Sequence, residues 1–264
     1  MTYDPKQHWD EVGRASSPGT GDSSGVFGVY ALPAWSDGPQ WAEYISPGMR
    51  VLDIGSGTGS QAGKLVRAGA WAVGVDISFS LLQVADQNCK LHGIDRSLFV
   101  QWNGRDLPFS NETFDCITTN TVLQHVVDDN TVERIFGEAV RTLKRGGQFL
   151  ISELVSPGES VQTAPHVRLR SVGFYVSLGN RFGLDKVSVS NSTSFYATLQ
   201  ASYGRRNQVT SESETPVGIG RGPSRISTLK KTVSMLAGPI DWLARWSHLD
   251  RRFVGQADIV FRKR

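Results

Sequence analysis

The chain predicts an α/β fold built on a doubly wound, mostly parallel sheet, and three observations carry that prediction. Between Val51 and Glu153, short apolar runs alternate with segments whose apolar residues recur at helical spacing. Such alternation forces parallel strands joined by right-handed crossovers. The first apolar run, Val51-Leu52-Asp53-Ile54, opens directly into the glycine-rich turn Gly55-Ser56-Gly57-Thr58-Gly59. Successive runs end near Asp53, Asp76, Asn103 and Asn120, at the carboxyl edge where ligands collect on sheets of this kind. The class is Rossmann-like.

Composition bounds the rest. A chain of 264 residues can bury a substantial core. With 39% hydrophobic and 20% charged residues it reads as an ordinary globular protein. Cys89 and Cys116 lie within apolar segments and are expected to be buried thiols. No His/Cys cluster has metal-ligand spacing, so no metal is implied. The first residues lack a basic-then-apolar leader and no apolar run is long enough to span a bilayer, so the expectation is cytoplasmic. The net charge of +3 is too mild to argue for nucleic acid.

Residues 1–46 form a polar lead-in rich in glycine, serine and aromatics, with a loop over 16–28 and a short helix expected over Trp35–Ile45. Val51–Ile54 is the first buried strand. Gly55, Gly57 and Gly59 let the backbone turn and approach a ligand closely, with Ser56 between them. Ala62, Leu65 and Val66 carry the helix that follows, whose N-terminus offers free N–H groups to a polar ligand. Trp71–Asp76 is the second strand. Asp76, followed by Ile77, lies about twenty residues past the first glycine, where an acidic side chain accepts ribose hydroxyls. Ser78 or Ser80 caps a helix with the core stripe Leu81, Leu82, Ala85 and Cys89.

Leu98–Trp102 is the third strand, continuing into Asn103-Gly104-Arg105-Asp106-Leu107-Pro108-Phe109. Phe114–Asn120 is the fourth, leading through Thr121 to His125. Asn130-Thr131-Val132-Glu133 has capping-box spacing and opens a helix, which Gly146-Gly147 stops. Gln148–Glu153 is the fifth strand. Pro157–Pro165 reads as a loop, Val172–Phe182 as a helix, Leu184–Val189 as a sixth strand and Ala257–Phe261 as the last. Between those two strands lies a partly helical insertion, 191–255, bounded by a core over 47–190 and a last strand over 256–264. Its basic, tryptophan-bearing part around Trp242 and Trp246 could touch an anionic membrane surface, though core packing is the favoured account.

Several of these phrases together resemble one family. The turn Asp-Ile-Gly-Ser-Gly-Thr-Gly, the Leu-Pro-Phe after the third strand, the phrase Phe-Asp-Cys-Ile-Thr-Thr-Asn-Thr-Val-Leu-Gln-His-Val and the late Arg-Thr-Leu-Lys-Arg-Gly-Gly-Gln-Phe-Leu-Ile are similar to class I S-adenosylmethionine-dependent methyltransferases. The resemblance is to the small-molecule type 11 group, related to quinone and natural-product methyltransferases, and covers about residues 48–155. It implies an antiparallel last strand. It also implies S-adenosyl-L-methionine as cofactor, a lead-in that closes over it, and contacts from Asp53, Gly55, Ser56, Gly57, Gly59, Asp76, Ile77, Asn103, Gly104, Arg105, Asn120 and Thr121. Asn103 stands where the family usually has Asp, a departure; an Asn carbonyl can still pair with an adenine amine.

Methyl transfer from a sulfonium is an in-line displacement in which the protein aligns the acceptor and excludes water. His125 is the candidate base, with His8 and His166 behind it, and an ordering role for His125 is the alternative. Arg168 and Arg170 could bind an anionic acceptor, or form surface ion pairs. The acceptor is expected to be a small molecule or a glycan, methylated on oxygen, nitrogen or carbon. The absence of an Asn/Asp-Pro-Pro-aromatic phrase after the fourth strand counts against nucleic-acid bases. A non-catalytic nucleoside-binding or membrane-surface module and an NAD-dependent oxidoreductase remain as alternatives. Oligomeric state is not legible.

Overall fold

A computed structural model describes residues 3–16, 41–95, 97–193 and 255–264. Seven strands form one sheet, in the order β3-β2-β1-β4-β5-β9-β8. The first five are β1 (Arg50–Ile54), β2 (Trp71–Asp76), β3 (Ser97–Gln101), β4 (Phe114–Asn120) and β5 (Leu143–Val155), and every pairing among them is parallel. At the far edge, β9 (Gly255–Lys263) runs antiparallel between β5 and β8 (Leu184–Thr193). The mostly parallel sheet and its antiparallel last strand match expectation. The insertion over 191–255 falls almost wholly outside the described residues, as do the 16–28 loop beyond Ser16, Tyr30, and the start of the helix expected over Trp35–Ile45. Of that helix the described part is a single 3-10 turn, Ala42–Tyr44.

Helices cover both faces. α2 (Ser60–Arg67) follows the glycine turn and packs Leu65 and Ala62 against Val51, Ala72 and Leu150. α3 (Phe79–Leu91) is capped by Ser78, whose side chain accepts from Leu81 N at 3.2 Å. On the other face α4 (Asp129–Thr142) and α5 (Val172–Arg181) bury Phe136, Ile135, Tyr175 and Leu178 against Phe149, Ile117 and Phe261. Cys89 and Cys116 are buried free thiols. Among the described residues no helix is long and apolar enough to cross a membrane, and no group of acidic, histidine or cysteine residues could hold a metal ion.

Three local expectations are corrected. α4 is capped by Asp128, which accepts from Thr131 N at 2.8 Å, two residues before the expected box at Asn130. The chain leaves α4 at Leu143 and enters β5 at once, so Lys144 to Gly147 belong to a strand and not to a helix end. The loop expected over Pro157–Pro165 contains β6 (Val161–Ala164), which pairs with β7 (Val167–Leu169) as a hairpin.

The lead-in begins with α1 (Pro5–Ala15), capped by Asp4 with proline at N1. Its Gly13 lies against α3 so closely that a Cβ there would stand 2.5 Å from Ser80 Oγ. Asp10 fixes the docking by accepting from Ser78 Oγ at 2.8 Å.

Candidate functional site

The carboxyl ends of β1, β2 and β4 open into a cavity of about 620 Å³. Asp53, Gly55, Ser56, Gly57, Asp76, Ile77, Asn103, Gly104, Arg105, Asn120, Thr121 and His125 all line it. Gly59 does not. It is the left-handed N-cap of α2, and a Cβ there would meet Ala85 Cβ at 2.9 Å, so its smallness serves helix packing. Gly55 has φ +70, and a Cβ there would stand 2.3 Å from Val122 Cγ2; the turn can pass the β4 end only as glycine.

The two buried carboxylates differ in what they hold. Asp76 accepts from Gly57 N at 2.9 Å and from Ser78 N at 2.9 Å, closing the glycine turn onto β2. Burial raises its pKa to about 6 against those donors. Asp53 accepts from Thr118 Oγ1 at 2.8 Å through one oxygen only, and burial raises it to about 7. Its Oδ2 is buried with no partner, as are Ser56 Oγ and Gln61 Nε2 in the same wall. Orphaned buried polar atoms are costly. Three of them facing one cavity fit a polar, partly cationic ligand.

Asn103 sits otherwise than its expected use requires. Its Oδ1 accepts from Arg105 N at 2.8 Å and Asp106 N at 2.9 Å, capping its own turn. The carbonyl is therefore engaged, and the backbone of Gly104 and Arg105 forms the adjoining cavity wall. Thr121 has φ +56, an uncommon conformation for a β-branched residue, at the point where β4 ends and the wall begins.

That wall, Asn120 to Val126, is gripped from both sides. Glu153 at the end of β5 accepts from Val122 N and Leu123 N at 2.9 Å and from Gln124 N at 3.1 Å. Arg170, fully buried, donates to Leu123 O at 2.9 Å and Val126 O at 2.7 Å, and pairs with Asp129 at 2.7 Å. Arg168 donates to the same carboxylate at 3.1 Å. Of the two readings of these arginines, the ion pair is the one seen: both pair with Asp129, and Arg170 does so while buried against the loop and not at the surface.

His125 is 9% exposed. Its Nδ1 lies 3.2 Å from His166 O, so Nδ1 carries the proton. Its Nε2 lies 3.3 Å from Gln124 Nε2, whose partner oxygen accepts from Leu154 N at 3.0 Å; the amide is thereby oriented to donate to the ring. Burial depresses the imidazole to about 4. Trp9 of α1 packs edge-on to it at 5.0 Å, and His8 stacks on His166 at 4.9 Å. Asp4, Pro5, Lys6 and Trp9 bring α1 over the cavity.

With this geometry in place, known proteins can be compared. Residues 52–151 match the family described as a methyltransferase domain. A demethylmenaquinone methyltransferase from Clavibacter sepedonicus is 36% identical over 42% of this chain, which spans 43% of that protein's length. Among solved structures, the [4+2]-cyclase SpnF superposes with a TM-score of 0.58 at 19% identity, covering 84% of this chain and 78% of that one. A phosphoethanolamine N-methyltransferase 2 of Haemonchus contortus, in complex with S-adenosyl-L-methionine, gives 0.55 at 17%, covering 83% and 49%. These structural likenesses are likenesses of fold.

Several residues around the cavity escaped sequence reasoning. Asp4 lies in the lead-in expected to close over the cofactor and was not singled out, although Asp4-Pro5 is a readable helix start. Gln124, Glu153 and Lys64 carry no motif of their own. Only tertiary placement reveals them.

Proposed function

We propose that the chain transfers a methyl group from S-adenosyl-L-methionine to a flat, largely apolar small molecule of the quinol type. The observation that carries the cofactor assignment is the convergence of Asp53 Oδ2, Ser56 Oγ and Gln61 Nε2, all unpartnered, on one cavity floored by a glycine turn. The methyltransferase domain over 52–151 and the cofactor-bound structural neighbour support it. For the acceptor, support comes from the named activity of the Clavibacter relative and from the wall of Trp9, Val122, Val126, Val127 and Leu154. Such a wall suits a ring better than a polyhydroxylated sugar.

When bound, S-adenosyl-L-methionine supplies a methyl group already activated by its sulfonium. Asp53 offers a carboxylate oxygen to its ammonium. Asp76, held by two backbone N–H groups, keeps lone pairs for ribose hydroxyls. The gripped turn from Asn120 to Val126 sets the acceptor against the methyl group, and α1 with Trp9 excludes water. His125, neutral with its Nε2 lone pair toward Gln124, can take a proton from the acceptor only if that amide yields; otherwise it orders the wall.

Incubation with methyl-labelled S-adenosylmethionine and a 2-substituted 1,4-naphthoquinol should give labelled product. A thermal-shift comparison separates the oxidoreductase reading: S-adenosylhomocysteine should stabilise the protein and NADH should not. Stabilisation by NADH alone would reverse the assignment.

A further inference from the structure

One buried side chain in the cavity is left unexplained by the carboxylates and the glycine turn. Lys64 lies one turn into α2, is 9% exposed, and lines the cavity together with Ser60 and Gln61. Among the described residues Lys6, Lys90, Lys144 and Lys263 each pair with a carboxylate, whereas the Lys64 ammonium has no ion pair or hydrogen bond. Its Nζ keeps contact with solvent, so the ammonium is open to a partner that the chain itself does not supply. The counter-charge is then best supplied by a ligand.

Two neighbours point the same way. Gln61 is three residues earlier, on the same helix face, and its Nε2 is buried without a partner. Gln61 stands on the first turn of α2, where the helix dipole favours negative charge. Elsewhere in the same cavity wall is the opposite feature, the unpartnered Oδ2 of Asp53. The cavity therefore offers a cationic donor set and an anionic acceptor, as an α-amino-acid zwitterion requires.

We propose that Lys64, assisted by Gln61, anchors the α-carboxylate of the methionine end of S-adenosylmethionine, while Asp53 takes its α-ammonium. This rests on the cavity being the S-adenosylmethionine site. Lys64 is then a binding residue that sets affinity for the intact amino acid and rejects ligands lacking the carboxylate. It takes no part in moving the methyl group.

Removing the carboxylate from the ligand and the ammonium from the protein tests this by calorimetry. The ligands are S-adenosylhomocysteine and its decarboxylated analogue S-adenosyl-3-thiopropylamine. Wild-type protein should prefer the first by about tenfold or more, the scale of a charge-assisted pair. Lys64→Met should lose about that factor for S-adenosylhomocysteine and keep its affinity for the amine, so that the preference collapses. Equal weakening toward both ligands would mean a structural role and would overturn the proposal, as would a wild type that does not discriminate. Should Lys64→Met fail to fold, Gln61→Leu must still narrow the preference, and an unchanged preference there overturns the proposal. Binding of neither ligand by wild type would overturn the cavity assignment itself, a separate and recognisable result.

Discussion

Glu153 and Arg170 hold one turn of chain by opposite polarities. The carboxylate takes the N–H groups of Val122, Leu123 and Gln124, and the guanidinium takes the carbonyls of Leu123 and Val126. A loop at a sheet edge ordinarily leaves such groups to water. Here they are buried and satisfied, so this side of the cavity has a fixed shape.

Breaking either grip should cost stability. Glu153→Gln keeps one acceptor oxygen but turns an NH₂ toward backbone donors, at about 1–3 kcal/mol. Arg170→Met leaves Val126 O unpaired, Leu123 O with Val126 N alone and Asp129 with Arg168 alone, and empties a fully buried site, at about 2–4 kcal/mol. Urea unfolding of both variants gives the comparison, and Arg170→Met should be the more damaged.

Asp53 trades stability for binding. Folding raises its pKa from 3.8 to about 7, so the folded chain holds a proton that the unfolded chain sheds near pH 4. Its contribution is complete below pH 4 and is lost as pH rises through 7. Asp53→Asn keeps an acceptor for Thr118 and removes the charge. The variant should melt higher than wild type at pH 8, show little difference at pH 5, and lose about tenfold or more in affinity for S-adenosylhomocysteine. Melting curves at the two pH values decide the first part, and calorimetry decides the second.

His125 behaves oppositely. Its pKa falls from 6.5 to about 4 on folding, so its contribution is present above pH 6.5 and is lost as pH falls through 4. In the free protein the imidazole is therefore neutral at and above neutral pH. A kcat profile between pH 5.5 and 8 should therefore keep the same inflections in His125→Asn as in wild type, whatever the loss of rate. Disappearance of a limb in the variant would assign that limb to His125.

The closeness of β1's turn to the β4 end gives a steric prediction. Gly55→Ala places a Cβ within 2.3 Å of Val122 and forces alanine to φ +70. Either the turn or the gripped loop must move. Cofactor affinity should fall by about a hundredfold or more, read by equilibrium dialysis, with the fold retained by circular dichroism.

The sheet and the cofactor edge were legible because they depend on local pattern. Apolar runs ending at Asp53 and Asp76 mark buried strands, and Gly55 and Gly57 announce a turn that only glycine makes. What was missed depends on partners distant in sequence. Nothing around Arg170 distinguishes a buried clamp from a surface arginine until Asp129 and the turn at Leu123 are brought to it. The β6–β7 hairpin is too short for alternation to stand out. Asn103 was read as offering its carbonyl outward, yet it caps its own turn, the usual competition between side chain and backbone for Asn in loops.

The central claim is that the cavity binds a sulfonium nucleoside with its ribose on Asp76 and its amino-acid end at the turn below Asp53. Calorimetric titration of wild type and Asp76→Ala with S-adenosylhomocysteine tests it most directly. One-to-one binding by wild type, reduced at least about tenfold in the variant, is the predicted result. Absence of binding by wild type, or an affinity indifferent to Asp76, would contradict it.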